Sequence, residues 1–294
     1  EALLGTLASH FGEPFADSSA VPTYFVSKST ASHVKMVLSG DGGDELFAGY
    51  DSYRLILENQ QKGLGYKALC HVLSCVPKWG ACLSQIKQRA KQRNLHFEPF
   101  YDQFRQIFSD QEVRSLMAER CSIAPARLYQ KQWDLDEITH FQLSDLTTYL
   151  HDDVLTKVDR MSMAHSLEVR VPLLDHMLVE LAFSMPIDLK IRYENNQIMT
   201  KKILKQSASR FIGMHFLNRK KQGFGIPLIE WCSGHLRPVI EQSICNPENP
   251  LYEWLDYKQT NRLIDAFFKG SSQLAARVWA ILMLDIWLRK VHHA

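Results

Sequence analysis

The 294-residue sequence predicts an α/β fold with a partial parallel sheet and a large, mainly helical C-terminal part. Three observations predict it. The run VKMVL at 34–38 is short, apolar and stopped by Ser39-Gly40, as a buried strand is. A helical stretch precedes it, and helix, buried strand and glycine loop in succession are the grammar of an α/β unit with a parallel sheet. After Tyr50 the strand signal nearly vanishes, and Pro77, Pro99, Pro125, Pro172, Pro186, Pro227 and Pro238 punctuate helical sequence. With no repeat, low-complexity tract or long linker, the chain reads as one domain, 1–294, with an α/β portion over 1–60 and a mainly helical portion over 61–294.

In chain order, Val21–Ala31 reads as a helix after Pro22, with Asp17 or Ser18 placed to cap it. Leu146, Leu150, Val154, Val158 and Met161 recur at spacings of four and three, predicting one amphipathic helix over 146–163. Asp152, Asp153, Lys157, Asp159 and Arg160 then fall largely on its other faces. Val171 precedes a proline and resists helix, so Glu168 and Arg170 belong to an extended segment, and Asp175 is set to cap a helix ending before Pro186. A last helix over about 274–291 carries Leu274, Val278, Ile281, Leu282 and Leu288 on one stripe that reads as core.

Composition narrows the function classes. At 46% apolar and 22% charged the chain is globular, and a formal net charge of +2 gives no overall field for nucleic acid or an anionic membrane. The six cysteines, Cys70, Cys75, Cys82, Cys121, Cys232 and Cys245, form no CxxC pair or zinc-type spacing and read as reduced thiols. No run approaches the roughly 18 apolar residues of a membrane span; the longest, VWAILMLDIWL, contains Asp285. The expected location is the cytoplasm.

The stretch VLSGDGGDELFAGY, Val37–Tyr50, carries the chemistry. A loop after a parallel strand lies where open α/β sheets bind ligands, and Gly40, Gly42 and Gly43 let backbone approach a bulky anion. Asp41, Asp44 and Glu45 would repel a phosphate unless a divalent cation intervened. Mg2+ bound through one or two carboxylates and phosphate oxygens fits that need. An EF-hand starting at Asp41 fails, because Leu46 stands where glycine is required and Ser52 where glutamate is. A Walker A loop fails for want of a lysine after its last glycine. A turn of solvated acids remains the plain alternative. Arg219-Lys220-Lys221 similarly reads as a solvated basic face, as a weak nucleic-acid patch, or as positive charge placed for a displacement at phosphorus.

These stretches resemble the asparagine synthetase C-terminal domain. VLSGDGGDELFAGY is similar to that family's acidic loop, VLTKVDRMSMAHSLEVRVPLLD at 154–175 to its long central motif, and NRKKQGFGIP at 218–227 to its basic loop; EPFADSSAVPTYFVS at 13–27 also matches. The resemblance implies an adenine nucleotide alpha hydrolase-like (ATP-pyrophosphatase) fold. It also implies a two-step reaction in which aspartate attacks the α-phosphate of Mg-ATP and ammonia then displaces AMP from β-aspartyl-AMP. On this chain it implies nucleotide contacts from Ser39, Gly40, Gly42 and Arg219, Mg2+ on Asp44, adenylate formation assisted by Asp41, and pyrophosphate charge met by Lys221. Some family members have Glu at the position of Asp41. Glu168 and Arg170 are equally readable as a structural pair or as substrate contacts, and His151 and His165 are left out because a carboxylate nucleophile needs no proton removed.

No SGGxDS pyrophosphate loop occurs, and neither does an N-terminal cysteine of a glutaminase. The resemblance therefore implies an N-terminally incomplete synthetase domain, inactive alone, whose partner is the glutaminase domain of a longer protein supplying ammonia from glutamine; a homodimer is left open. Two alternatives stand beside it. One is a related ATP-dependent amidotransferase or β-lactam synthetase-like enzyme using another carboxylate, and the other is an inactive helical interaction module.

Overall fold

Leu4, Leu7, Ala8 and Phe11 recur at helical spacing, and helix α1 (Ala2–Phe11) buries that face against the last long helix of the chain. The structure is a computed structural model that describes residues 2–60, 104–118, 135–194, 197–217, 219 and 223–292. The cysteines at 70, 75, 82 and 121 and the prolines at 77, 99 and 125 lie outside them.

Helix α2 (Ala20–Ala31) appears where expected, but neither Asp17 nor Ser18 caps it. The cap position is Ser19, which makes no side-chain cap bond. The Asp17 carboxylate instead accepts from the Ser19 amide and hydroxyl and from Lys157 Nζ at 2.5 Å, 140 residues away. A short acidic side chain that finds a distant cation and its own turn has no reach left for a helix end.

Strand β1 (Met36–Leu38) is shorter than the predicted run and is not buried: Met36 is 41% and Leu38 67% exposed. Its residues 36 and 38 point to a face that no described helix covers, while Val37 points to the other. The glycine loop leads into α3 (Gly43–Leu46), and α4 (Asp51–Gln60) follows. Further on, α5 (Asp110–Leu116) starts with a full capping box between Ser109 and Glu112.

The predicted helix over 146–163 is in fact three pieces. Helix α6 (Glu137–Thr147) ends at Thr148, whose φ of −123° and ψ of −79° are not helical; a π-helical segment spans Tyr149–Leu155; and α7 covers Thr156–Met163. Lys157, assigned to a polar face, is buried one turn before Met161 on the same face of α7, where its ammonium meets Asp17, and Leu150 and Met161 reach the core as the periodicity predicts.

The extended segment is strand β2 (Glu168–Arg170), parallel to β1 with Met36 opposite Glu168, Val37 opposite Val169 and Leu38 opposite Arg170. Sequence spacing gave no hint of this pairing, since it joins segments some 130 residues apart. Asp175 caps α8 (His176–Ser184) through the Met177 amide, as expected. A second, antiparallel pair joins β3 (Arg192–Glu194) to β4 (Gln197–Met199). Helices α9 (Lys202–Ala208), α10 (Arg237–Ser243), α11 (Tyr257–Phe268) and α12 (Ala275–Trp287) complete the elements needed here. Helix α12 runs into a π-helical end at Leu288–His292.

The largest apolar cluster joins α1, α2, α7, α10, α11 and α12 around Trp279 and Leu282, with Val278, Ile281 and Leu288 of the predicted stripe buried in it. Each such side chain contributes about 1.5–3 kcal/mol relative to exposure. The Trp279 indole N–H donates to the Ala16 carbonyl at 3.0 Å, fixing the loop that carries Asp17. Two smaller clusters, around Phe141 with Tyr53 and around Leu46 with Phe47, sit behind the glycine loop.

Candidate functional site

The acidic glycine loop leaves the carboxyl end of β1, and the Ser39 amide donates to the Arg170 carbonyl at 2.8 Å. That bond extends the sheet by one rung and commits the Ser39 N–H. The Ser39 hydroxyl donates to the Asp41 carboxylate, and the Gly43 amide closes a turn on the Gly40 carbonyl at 3.3 Å. Gly42 is required in its place: its φ is +81°, and a Cβ there would run into the Leu174 side chain.

The three acids of the loop do not form one layer. Asp44 is partly buried and pairs with Lys201 Nζ at 3.0 Å. Glu45 is 1% exposed and turns inward, accepting the Tyr50 hydroxyl at 2.5 Å, so it is not available as a metal ligand as the sequence suggested. Burial raises its carboxyl above the ordinary value despite the Tyr50 bond, and burial with the nearby Glu45 charge pushes the Tyr50 phenol far up. Among the described residues no three His, Cys, Asp or Glu side chains converge to hold a metal. Of the loop's acids, Asp41 and Asp44 keep their carboxylates outside the buried interior, and one or two carboxylates are what Mg2+ takes from a protein.

Lys201, which reaches the candidate site, is a residue that the sequence did not single out. It stands in a lysine-rich stretch, MTKKILK, with no spacing signal of its own. In the fold its φ is +52°, its amide donates to the Phe47 carbonyl at 3.1 Å, and its ammonium reaches Asp44. Gly49 fits between them; a side chain there would collide with both the Asp44 carboxylate and the Lys201 stem.

A polar network buttresses the loop from behind. Gln142 donates to the Glu45 carbonyl and accepts from Lys190 Nζ at 3.3 Å. Lys190 is 1% exposed, and burial lowers its ammonium to about 8. Asp145, wholly buried, takes both Arg105 Nε and Nη2 at 2.6 Å and the Tyr53 hydroxyl at 2.6 Å.

To one side, Asp17, Asp153 and Lys157 form a second charged group. Burial works to raise Asp17, but the charge and hydrogen bond of Lys157 overcome it and hold the carboxyl below its ordinary value. Burial, with the Asp17 charge beside it, pushes Asp153 up to about 7. Gly225 lies against Ser18, beside the same turn. Arg219 is exposed, its guanidinium 4.8 Å from the Phe216 ring. Lys221 lies outside the described residues, and with it any separation from Asp44. Glu168 and Arg170 do pair, at 2.7 Å, but both side chains are more than half exposed, so the pair clamps nothing.

A parallel strand pair leads into an acidic glycine loop, and Lys201, from later in the chain, meets Asp44 of that loop within an α/β protein. A sequence profile of the asparagine synthase family matches residues 1–289, and the chain belongs to that family. It is 30% identical over 291 residues to asparagine synthetase [glutamine-hydrolyzing] 1 of Bacillus subtilis, covering 95% of this chain and 44% of that protein. It is also 30% identical to a putative asparagine synthetase [glutamine-hydrolyzing] of Mycobacterium bovis, over 97% of this chain and 44% of the relative. A more distant relative, amidase chry2 of Gibberella zeae, is 22% identical over 84% of this chain. The chain thus spans under half the length of the curated relatives it matches most fully. Its fold is mixed α/β with helices dominant and small sheets, and among the described residues no helix is long and apolar enough to cross a membrane.

Proposed function

We propose that this chain carries the ATP-dependent, carboxylate-activating part of an asparagine synthetase. Aspartate attacks the α-phosphate of ATP, β-aspartyl-AMP and pyrophosphate form, and ammonia displaces AMP to give asparagine. The observation that carries this reading is the acidic glycine loop, seated at the carboxyl end of a parallel strand in a chain whose family is established. A glutaminase domain in the longer protein supplies the ammonia, as the names of the relatives suggest.

The chain's own residues take distinct roles. Ser39 and Gly40 contact the nucleotide; because the Ser39 amide is bound to Arg170, Ser39 contributes its carbonyl and hydroxyl. Gly42 sets the turn that keeps backbone close to the phosphates. Asp44 would hold Mg2+, which when bound neutralises phosphate charge, and Lys201 orients that carboxylate. Asp41, steadied by the Ser39 hydroxyl, orders the reacting groups. Arg219 and Lys221 meet the charge that builds on the departing pyrophosphate. The attacking aspartate carboxylate is ionised at neutral pH, so the reaction asks for no general base.

The test uses the whole protein that contains this chain, supplied with ATP labelled at the α-phosphate, aspartate and ammonium. Aspartate-dependent AMP release with asparagine formed in equal amount is the expected result. AMP release with another carboxylate but not with aspartate would transfer the function to a related amidotransferase, and Asp44→Asn with undiminished AMP release would remove Asp44 from the site.

A further inference from the structure

Arg105 lies about sixty residues beyond the acidic loop and belongs to none of the motifs singled out in the sequence. Its side chain is 9% exposed, and both its bonds to Asp145 are 2.6 Å. The guanidinium carbon sits 4.9 Å from the centre of the Tyr50 ring and 4.4 Å from that of Tyr149. The planar fork therefore grips a buried carboxylate at its edge while its faces meet aromatic rings, a combination lysine cannot reproduce.

The grip leads straight to the loop. Tyr50, one of the two rings, donates its hydroxyl to Glu45 at 2.5 Å. Tyr53, three residues on, is held through Asp145 by the same guanidinium. Between Tyr50 and the loop the backbone has little freedom: Ala48 is buried with φ +53°, and the Gly49 amide donates to the Asp44 carbonyl at 2.8 Å. The connection from the Tyr50 ring to Asp44 is thus short and bonded.

We infer that Arg105 is a positioning residue of the acidic loop, setting the place of Asp44 through Tyr50, Glu45 and Gly49. This rests on the loop being the nucleotide site, and the experiment separates the two ideas. A buried ion pair that served stability alone could be exchanged for apolar side chains at little cost. An Arg105 that positions the loop cannot.

The whole chain, labelled with 15N-glycine, reports on both regions at once. In Arg105→Lys, and independently in Tyr50→Phe, the amide signals of Gly42, Gly43 and Gly49 should shift while those of Gly234 and Gly270 in the helical part stay in place. Tyr50→Phe removes only a hydroxyl, so it carries the test if the Arg105 variant does not fold. Loop signals that stay in place in the folded variants, or shifts spread equally to Gly234 and Gly270, overturn the inference. In the whole protein, Arg105→Lys should lower kcat on the order of tenfold to a hundredfold, as a displacement of about 1 Å near reacting groups does, with a smaller change in KM for ATP. Unchanged kcat overturns the inference, whereas an active-site reading that fails in the wild type leaves the glycine signals to decide it.

Discussion

The helical region around α12 and the region behind the acidic loop are both well buried, but by different means. Around Trp279 and Leu282 the contacts are mainly apolar, with a polar island where Asp285 accepts from Ser243, Asn249 and Arg289. Behind the loop, Glu45, Asp145, Arg105, Gln142 and Lys190 occupy the interior, and Ala48 and Lys201 have left-handed backbone. Apolar packing tolerates exchange of one shape for another; a buried polar network does not, because each member depends on its partners. The first region is built to hold the fold, and the second to hold a few groups in place.

The largest effect should separate the two modes. Asp145→Ala removes a buried carboxylate that holds both Arg105 and the Tyr53 hydroxyl and should cost about 3–5 kcal/mol. Leu282→Ala, in the apolar cluster, should cost about 2–5 kcal/mol. Leu282→Met should restore most of that loss, whereas Asp145→Asn should restore little, because an amide gives the guanidinium no charge and only one acceptor oxygen. Urea midpoints of the four variants check this. Equal rescue by both conservative changes would erase the distinction.

Gly42→Ala comes next. The left-handed backbone and the contact with Leu174 should cost about 1–3 kcal/mol in thermal unfolding. Gly270, in the helical region, also has positive φ, at +106°, but open space around its Cβ. Alanine there should cost less, and a larger loss at Gly270 than at Gly42 would show that close packing adds nothing at the loop.

The same division explains what could be read from sequence. The stripe on α12, the Asp175 cap and the extended character of Glu168–Arg170 were legible because spacing and capping are local. The single helix over 146–163 was wrong because one non-helical residue, Thr148, and a π-helical segment leave the apolar spacing almost intact, and Lys157 was misplaced because its partner, Asp17, is far away in sequence. Asp17 was misread as a cap because its partner is 140 residues away. In the candidate site, the glycine turn after a parallel strand was legible, but the inward turn of Glu45 is a local bond with no spacing signal, and the pairing of Asp44 with Lys201 and the grip of Arg105 are long-range contacts between residue types that usually face water.

A pH prediction sharpens the contrast. Burial holds folded Asp153 near 7, above its unfolded value near 3.8. Between those values the native state keeps a proton that the unfolded state has released. The stability this gives is therefore full below about 4 and lost as pH rises through 7. The groups facing it are Asp17, Lys157 and Arg105, and raised Glu45 acts in the same sense. Asp17, held low, acts in the opposite sense, but only where acid protonates it, below about 4. The urea midpoint should fall between pH 5 and 7.5, and Asp153→Asn should flatten that slope. A slope unchanged in the variant would assign it to other groups.

The smallest effect asks whether the two regions unfold as one. Asp136 caps α6, behind the loop, through the Ile138 and Thr139 amides at 3.0 Å, and Asp256 caps α11, in the helical region, through Gln259 at 2.8 Å. Either cap replaced by alanine should cost about 1 kcal/mol. If the regions form one cooperative unit, each variant lowers a single transition by a similar amount, whichever probe is used. If the polar region opens alone, Asp136→Ala lowers an early transition seen near the loop and leaves the later one untouched, while Asp256→Ala does the reverse. The contact of Trp279 with the Ala16 carbonyl and the Asp17–Lys157 pair tie the turn at Ala16–Asp17 to α12 and α7 across more than a hundred residues of sequence, and α7 runs back through the π-helical segment into α6, behind the acidic loop. That argues for one transition, and hydrogen exchange at the Glu45 and Leu282 amides is the measurement that decides it.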